Sequence, residues 1–205
     1  MRIREVTLLG AVAMFAAGSA PPQEQHHGST AASPITPTGD AAPTRIERGY
    51  RMPEVRLLDQ DGRPVDLHKE LQRDGPVLLD FIFTTCPGIC PILSATFART
   101  TELLGDDIGR TRLWSISLDP DFDTPERLTR YGAQYHAPRQ WRFFTGQPSA
   151  VRTIQKAFDA DSDNKMAHRS LVLLRSKDDL WIRFEGQIRP DRLAAEVRAN
   201  LSSVR

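Results

Sequence analysis

Cysteine is scarce in this chain: Cys86 and Cys90 are the only two. A disulfide between them would close so short a loop that the chain-entropy gain is only about 2 kcal/mol. That is little help to a domain of this length, so a purely structural bridge is disfavoured. An excess of charge of one sign is also missing. The formal net charge is +1, with no basic run and no RNA-type aromatic motif, so nothing argues for nucleic acid or an acidic partner. A long apolar run is lacking at the N-terminus. Val6 to Ala17 carries no charge but is short of the roughly 20 residues that span a bilayer. It also holds no cysteine for a lipid anchor.

What is there is an ordinary globular composition, 40% hydrophobic and 26% charged, behind a distinctive start. Met1-Arg-Ile-Arg is positive, the Val6–Ala17 stretch follows, and Gly18-Ser-Ala20 are small, as in a secretory signal. Pro21 is awkward for cleavage after Ala20, so an uncleaved anchor is the alternative. Residues 1–20 are read as signal peptide or membrane anchor, and the chain as exported. In an exported protein a free dithiol tends to oxidise. Something must keep the pair reduced, or its cycling is the function. Residues 21–48, rich in Pro, Ala, Ser, Thr and Gly with almost no large apolar residue, read as a flexible linker. His26-His27 within it read as solvated polar residues. Residues 49–205 form the folded domain.

The domain is organised around Val77 to Leu93. Val77 to Phe83 is apolar apart from Asp80, as in a strand covered on both faces. Thr84 and Thr85 break the run before Cys86-Pro-Gly-Ile-Cys90. Pro91 suits the first turn of a helix, and Leu93, Phe97, Thr100/Thr101 and Leu104 continue at helical spacing up to Gly105, a stop signal. The thiols therefore stand where a helix N-terminus lowers thiol pKa.

Upstream, Glu54 to Leu58 and Pro64 to Leu67 flank the turn signal Asp59-Gln-Asp-Gly62 and predict a β-hairpin, with His68 beyond it as an exposed loop or helix-start residue. Downstream, Leu113 to Leu118 is a second core strand. Asp123 or Thr124 caps the next helix, with Pro125 at its first position and Leu128, Tyr131 and Tyr135 facing inward. Asp119, Asp121 and Asp123 lack the glycine and distal glutamate of a calcium loop, so capping explains them better. His136 suits the end of that helix, where it meets the dipole. Trp141 to Phe144 is a short strand or extended link, and Pro148 to Phe158 a helix. Ser170 to Leu174 and Leu180 to Phe184 form a hairpin, and Pro190 to Leu201 a final helix. Strand, helix, strand, helix, antiparallel hairpin and helix is the thioredoxin order, an α/β fold decorated here by an N-terminal β-hairpin and an inserted helix.

Two chemical readings of the cysteines stay open. Residues i and i+4 share one helix face, with Cα atoms about 6 Å apart, within disulfide reach; a redox pair fits. A soft-metal clamp for an ion such as Cu(I) fits too, but wants another ligand. His168, at the entrance of the Leu171 strand after a loop long enough to fold back, is the candidate. Met166 is a soft donor two residues earlier, with packing its expected role.

Phe83-Thr-Thr-Cys86-Pro-Gly-Ile-Cys90-Pro, then Ser117-Leu-Asp-Pro120 with Asp123-Thr-Pro-Glu126, then His168 ahead of a strand, together resemble the Sco/SenC family over about Gly49 to Leu201. The resemblance implies a thioredoxin-like protein of the bacterial periplasm or mitochondrial inner membrane that serves in assembly of the copper centre of cytochrome c oxidase. It implies a copper site, for Cu(I) or Cu(II), made by Cys86, Cys90 and His168, and an N-terminal membrane tether. It implies further that the same cysteines can act as a thiol–disulfide reductant. The family commonly carries an acidic residue between the cysteines and an Asp directly before the histidine; this chain has Gly88 and Ala167, and such changes can cost 10- to 100-fold in metal affinity.

Two functions follow. A metallochaperone would hold copper and pass it by ligand exchange to the copper-bearing oxidase subunit or another copper protein. A thiol–disulfide oxidoreductase would use Cys86 to attack a partner disulfide and Cys90 to resolve the mixed disulfide, drawing on a thiol reductant and keeping cysteine ligands of a copper protein reduced. A thiol peroxidase fits less well, because no arginine is near the thiols in sequence.

Overall fold

The computed structural model describes residues 42–162, 164–177 and 180–203. The signal-or-anchor stretch over residues 1–20, most of the linker and His26-His27 lie outside the described residues. Among the described residues no helix is long and apolar enough to cross a membrane.

The Val77 run becomes strand β4 (Val77–Ile82), every residue of it buried. The preceding strands are β1 (Thr44–Gly49), β2 (Arg56–Asp59) and β3 (Pro64–Asp66), and a four-residue helix α1 (Leu67–Glu70) follows them. After β4 come α2 (Ile89–Leu104), β5 (Arg112–Ser117), α3 (Pro125–Gln134) and β6 (Trp141–Thr145). The chain closes with α4 (Pro148–Ala157), β7 (Leu171–Lys177), β8 (Leu180–Glu185) and α5 (Pro190–Ser203).

Among the described residues, eight strands join one mixed sheet in the order β1-β8-β7-β4-β5-β6-β2-β3. β4 lies near its middle, parallel to β5 and antiparallel to β7. Because strand side chains alternate, Leu78 and Ile82 enter a core with α2, α3 and α5, while Val77, Leu79 and Phe81 enter another with α1 and α4. Burial on both faces explains the unbroken apolar run.

The expected hairpin is present as β2 and β3, attached by β2 to β6 at one edge of the sheet. Trp141–Thr145 is a full strand, parallel to β5. His68 sits half-buried within α1, and His136, exposed beyond the end of α3, takes a positive φ of 50°.

The linker boundary needs correction. Thr44–Gly49, assigned mostly to the linker, pairs antiparallel with β8, from Thr44↔Glu185 to Gly49↔Leu180. Its residues are exposed except half-buried Ile46, so the ladder and an Arg45–Glu196 ion pair to α5 hold it, not burial. A polar edge strand of this kind leaves little hydrophobic pattern to read.

Candidate metal centre

At the end of β4 the chain turns sharply: the N–H of Cys86 donates to the Phe83 carbonyl at 3.1 Å. Helix α2 then starts at Ile89, so Cys90 and Pro91 both lie in its first turn. Proline costs nothing there, since the first N–H groups have no intrahelical acceptor. Gly88 occupies the N-cap and makes no side-chain cap bond. The sulfur supplies an acceptor instead, the N–H of Cys90 donating to Cys86 Sγ at 3.5 Å.

Both cysteines are free thiols, Cys86 half-buried and Cys90 fully buried. Burial pushes the Cys86 thiol up, but donation from the Cys90 thiol and the N–H groups of Cys90, Gly88 and Ile89 outweighs it, and the net shift is below an ordinary cysteine. Cys90 moves strongly the other way, through burial first and then its bond to Cys86, with the Asp80 carboxyl adding to the rise. The pair is therefore unequal, with one accessible, thiolate-prone sulfur and one protonated, buried sulfur.

Asp80 is the one charged residue in β4, on the strand face that packs against α2. Its carboxyl is fully buried with no hydrogen-bond partner. Burial pushes its pKa up to about 7, and the nearby Ser115 hydroxyl opposes the rise without reaching hydrogen-bond geometry.

His168 arrives from the other side of β4. The β4–β7 ladder runs from Val77↔Arg175 to Asp80↔Val172, so the segment just before β7 meets the same carboxyl end of β4 that carries the cysteines. Burial lowers the His168 pKa, the Phe81 carbonyl against the ring opposes that, and Arg169 adds to the lowering. Its Nε2 is buried and has no partner. A neutral imidazole with an unused ring nitrogen has the donor chemistry a soft or borderline metal requires. The two halves share a strand end without being closed into a cage. Among the described residues no group of three or more His, Cys, Asp and Glu stands ready to hold an ion.

Two expectations change here. Met166, expected to pack, is 58% exposed in a 3-10 turn over Lys165–Ala167. Asp123 does not cap α3; Thr124 does, accepting from the Arg127 N–H at 3.4 Å. Asp123 is instead fully buried and bonded to Thr84 and Ser117. Asp119 pairs with Lys165, whose ammonium also lies 5.5 Å from the centre of the Phe83 ring. Nothing local marked either contact.

Cavity size does not point to the thiols. A cleft of about 380 Å³ lies at the opposite end of the sheet, lined by Arg73, Arg110, Arg112, Arg139 and Arg142 with Glu70 and Asp74. Several of these guanidiniums are already engaged: Arg112 by backbone carbonyls, Arg142 by Asp59 and Arg73 by Glu70.

A family model described as SCO1/SenC matches residues 45–202. The chain belongs to the SCO1/SenC family. The SCO1 protein homolog of Bacillus subtilis is 30% identical over 137 residues, covering 63% of this chain and 70% of that protein. A solved structure of BsSco, described as a member of the Sco family of cytochrome c oxidase assembly proteins with a disulfide switch, is 26% identical. It covers 77% of this chain and 96% of that one, with a TM-score of 0.65. ScoI of Bradyrhizobium japonicum with copper bound shares the fold at a TM-score of 0.58 and 22% identity, over 71% of this chain and 96% of that one. The α/β architecture is accordingly thioredoxin-like. At Gly88, between the two cysteines, an added Cβ would meet nothing within 4 Å.

Proposed function

We propose that this chain is a copper-binding assembly factor: a metallochaperone that holds copper through Cys86, Cys90 and His168 and serves the maturation of a copper centre in cytochrome c oxidase. The observation that carries this reading is the buried, unpartnered Nε2 of His168 at the strand end that bears two free thiols. Two sulfurs and one imidazole nitrogen suit Cu(I), and a further donor would complete a Cu(II) site. Binding displaces the thiol protons, so affinity rises with pH. Delivery is ligand exchange, in which the bonds from copper to Cys86, Cys90 and His168 give way to bonds from the copper-bearing oxidase subunit or another copper protein. Export to the bacterial periplasm, with residues 1–20 as signal or anchor, fits a recipient outside the cytoplasm.

The inequality of the thiols supports a second reading. In a thiol–disulfide oxidoreductase the Cys86 thiolate attacks a partner disulfide and releases one partner thiolate. Cys90, losing its proton, then displaces the second, leaving a Cys86–Cys90 disulfide and a reduced partner.

An anaerobic Cu(I) competition titration of the reduced protein, beside Cys86→Ser and His168→Ala, separates them. One-to-one binding that collapses in both variants is the expected result. Wild-type binding no tighter than the variants' would end the copper reading and leave the dithiol one, for which Cys90→Ser should trap a mixed disulfide.

A further inference from the structure

The turn between β5 and α3 touches both halves of the site. Asp123 accepts from the Thr84 N–H at 3.1 Å, from Thr84 Oγ1 at 2.5 Å and from Ser117 Oγ at 2.6 Å. Asp119 holds Lys165, three residues before His168. We propose that this turn is the frame setting the cysteine loop against the histidine loop, with Asp123 the positioning residue of the dithiol and Asp119 that of His168. The proposal rests on the copper reading.

Burying a carboxylate is costly unless donors surround it, and α3 does not need this one, because Thr124 caps the helix. What Asp123 secures lies 39 residues earlier in the chain. Thr84 stands between the end of β4 and Cys86, so fixing both its backbone N–H and its hydroxyl fixes where the turn to the first sulfur begins. All the donors aim at the carboxylate oxygens. An amide in its place would turn an NH₂ group towards at least one of them. The Ser117 hydroxyl completes the frame by accepting the Asp119 N–H at 3.0 Å, joining the two acidic positions.

The two grips differ in strength. Charge-assisted bonds to a buried carboxylate are strong, so the dithiol half is held fast. The Lys165–Asp119 pair is partly exposed, and such pairs contribute little. The histidine half is thus held by a contact weak enough to open and re-form, which suits a site whose third ligand joins or leaves as copper is taken up or passed on.

The test uses reduced full-length protein and two readouts. The first, independent of copper, is the equilibrium in which the dithiol and oxidised glutathione exchange for the Cys86–Cys90 disulfide and two reduced glutathiones. The second is Cu(I) affinity against a chromogenic chelator. Asp123→Asn and Thr84→Val should each change the glutathione equilibrium by about 10-fold and weaken Cu(I) binding by roughly 10- to 100-fold. Thr84→Ser, which keeps the hydroxyl, should leave both near wild type. Asp119→Asn should weaken Cu(I) binding by about 2- to 5-fold, the scale of a partly exposed ion pair, and leave the glutathione equilibrium unchanged. Folded variants that keep wild-type values in both readouts overturn the proposal. If Asp123→Asn does not fold, the comparison of Thr84→Val with Thr84→Ser decides. If wild type binds no Cu(I), the copper reading and the role of Asp119 fall together, while the glutathione equilibrium still decides the role of Asp123.

Discussion

The backbone N–H of Cys90 donates to Cys86 Sγ at 3.5 Å, so the two cysteines are joined before any disulfide forms. That bond, other N–H groups of the helix start and the Cys90 thiol favour the Cys86 thiolate over the opposing effect of burial. Cys90 is buried and shifted the other way. Reduced protein treated briefly with iodoacetamide at pH 7 should carry the label on Cys86, with Cys90 slower by about 10-fold or more, since only accessible thiolates react readily. Peptide mass spectrometry reads the ratio; equal labelling would contradict the inequality.

Asp80 makes stability depend on pH. Its carboxyl titrates near 7 in the folded protein because burial penalises the charge, against about 3.9 in an unfolded chain. The folded state therefore binds the extra proton. This contribution is fully present below about pH 4, is lost as pH rises towards 7, and stays lost above it. Three pKa units correspond to something on the order of 4 kcal/mol. Urea unfolding of reduced wild type at pH 5 and 8 should show the loss, and Asp80→Leu should be less sensitive to pH over that range and more stable than wild type at pH 8. A wild-type profile that rises from pH 5 to 8 in parallel with Asp80→Leu would refute this.

Gly132 reverses a familiar rule. In a helix interior, replacing Gly by Ala ordinarily stabilises by about 1 kcal/mol. Here an added Cβ would stand 2.8 Å from Phe143 Cε2. The ring cannot yield easily, being buried and packed on Trp141 and Tyr131 at centroid distances of 5.0 and 6.0 Å. Overpacking costs of about 1–3 kcal/mol outweigh the propensity gain. Gly132→Ala should lower the thermal midpoint; a raised midpoint would show that β6 moves aside.

Arg112 acts as a clamp on the chain between α1 and β4. Its guanidinium donates to the carbonyls of Arg73 at 2.7 Å and Gly75 at 3.0 Å, and also to that of Glu70. Arg112→Met keeps most of the stem and removes every donor. It should destabilise by about 2–3 kcal/mol, the scale for hydrogen bonds to a charged group. Cu(I) affinity should be unchanged, since this clamp sits at the sheet end opposite the cysteines. Urea unfolding and the chelator titration check the two halves separately.

Much of the fold is legible in the sequence because its signals are local. The apolar Val77 run, the Asp-Gly turn before Pro64, Pro125 at a helix start and Gly105 at a helix end each act on near neighbours, and each matches an element. Thr44–Gly49 escapes because an edge strand held by its ladder need not alternate in hydrophobicity. Asp123 escapes for a different reason. Its position in an Asp-Thr-Pro-Glu run looks like a helix cap, and only the approach of Thr84 assigns the carboxylate to another task.

By itself, the sequence determines the two thiols at a strand-to-helix junction, the histidine before a later strand and the succession of elements that places them. These depend on spacing along the chain. The tertiary structure decides that Cys86 is the thiolate-prone sulfur, that His168 keeps a buried nitrogen unused, and that Asp80 is desolvated while Asp123 is surrounded by donors. Protonation and hydrogen-bond satisfaction are set by what packs around a group, and the packing partners of Thr84 and His168 come from strands and turns far away in the chain.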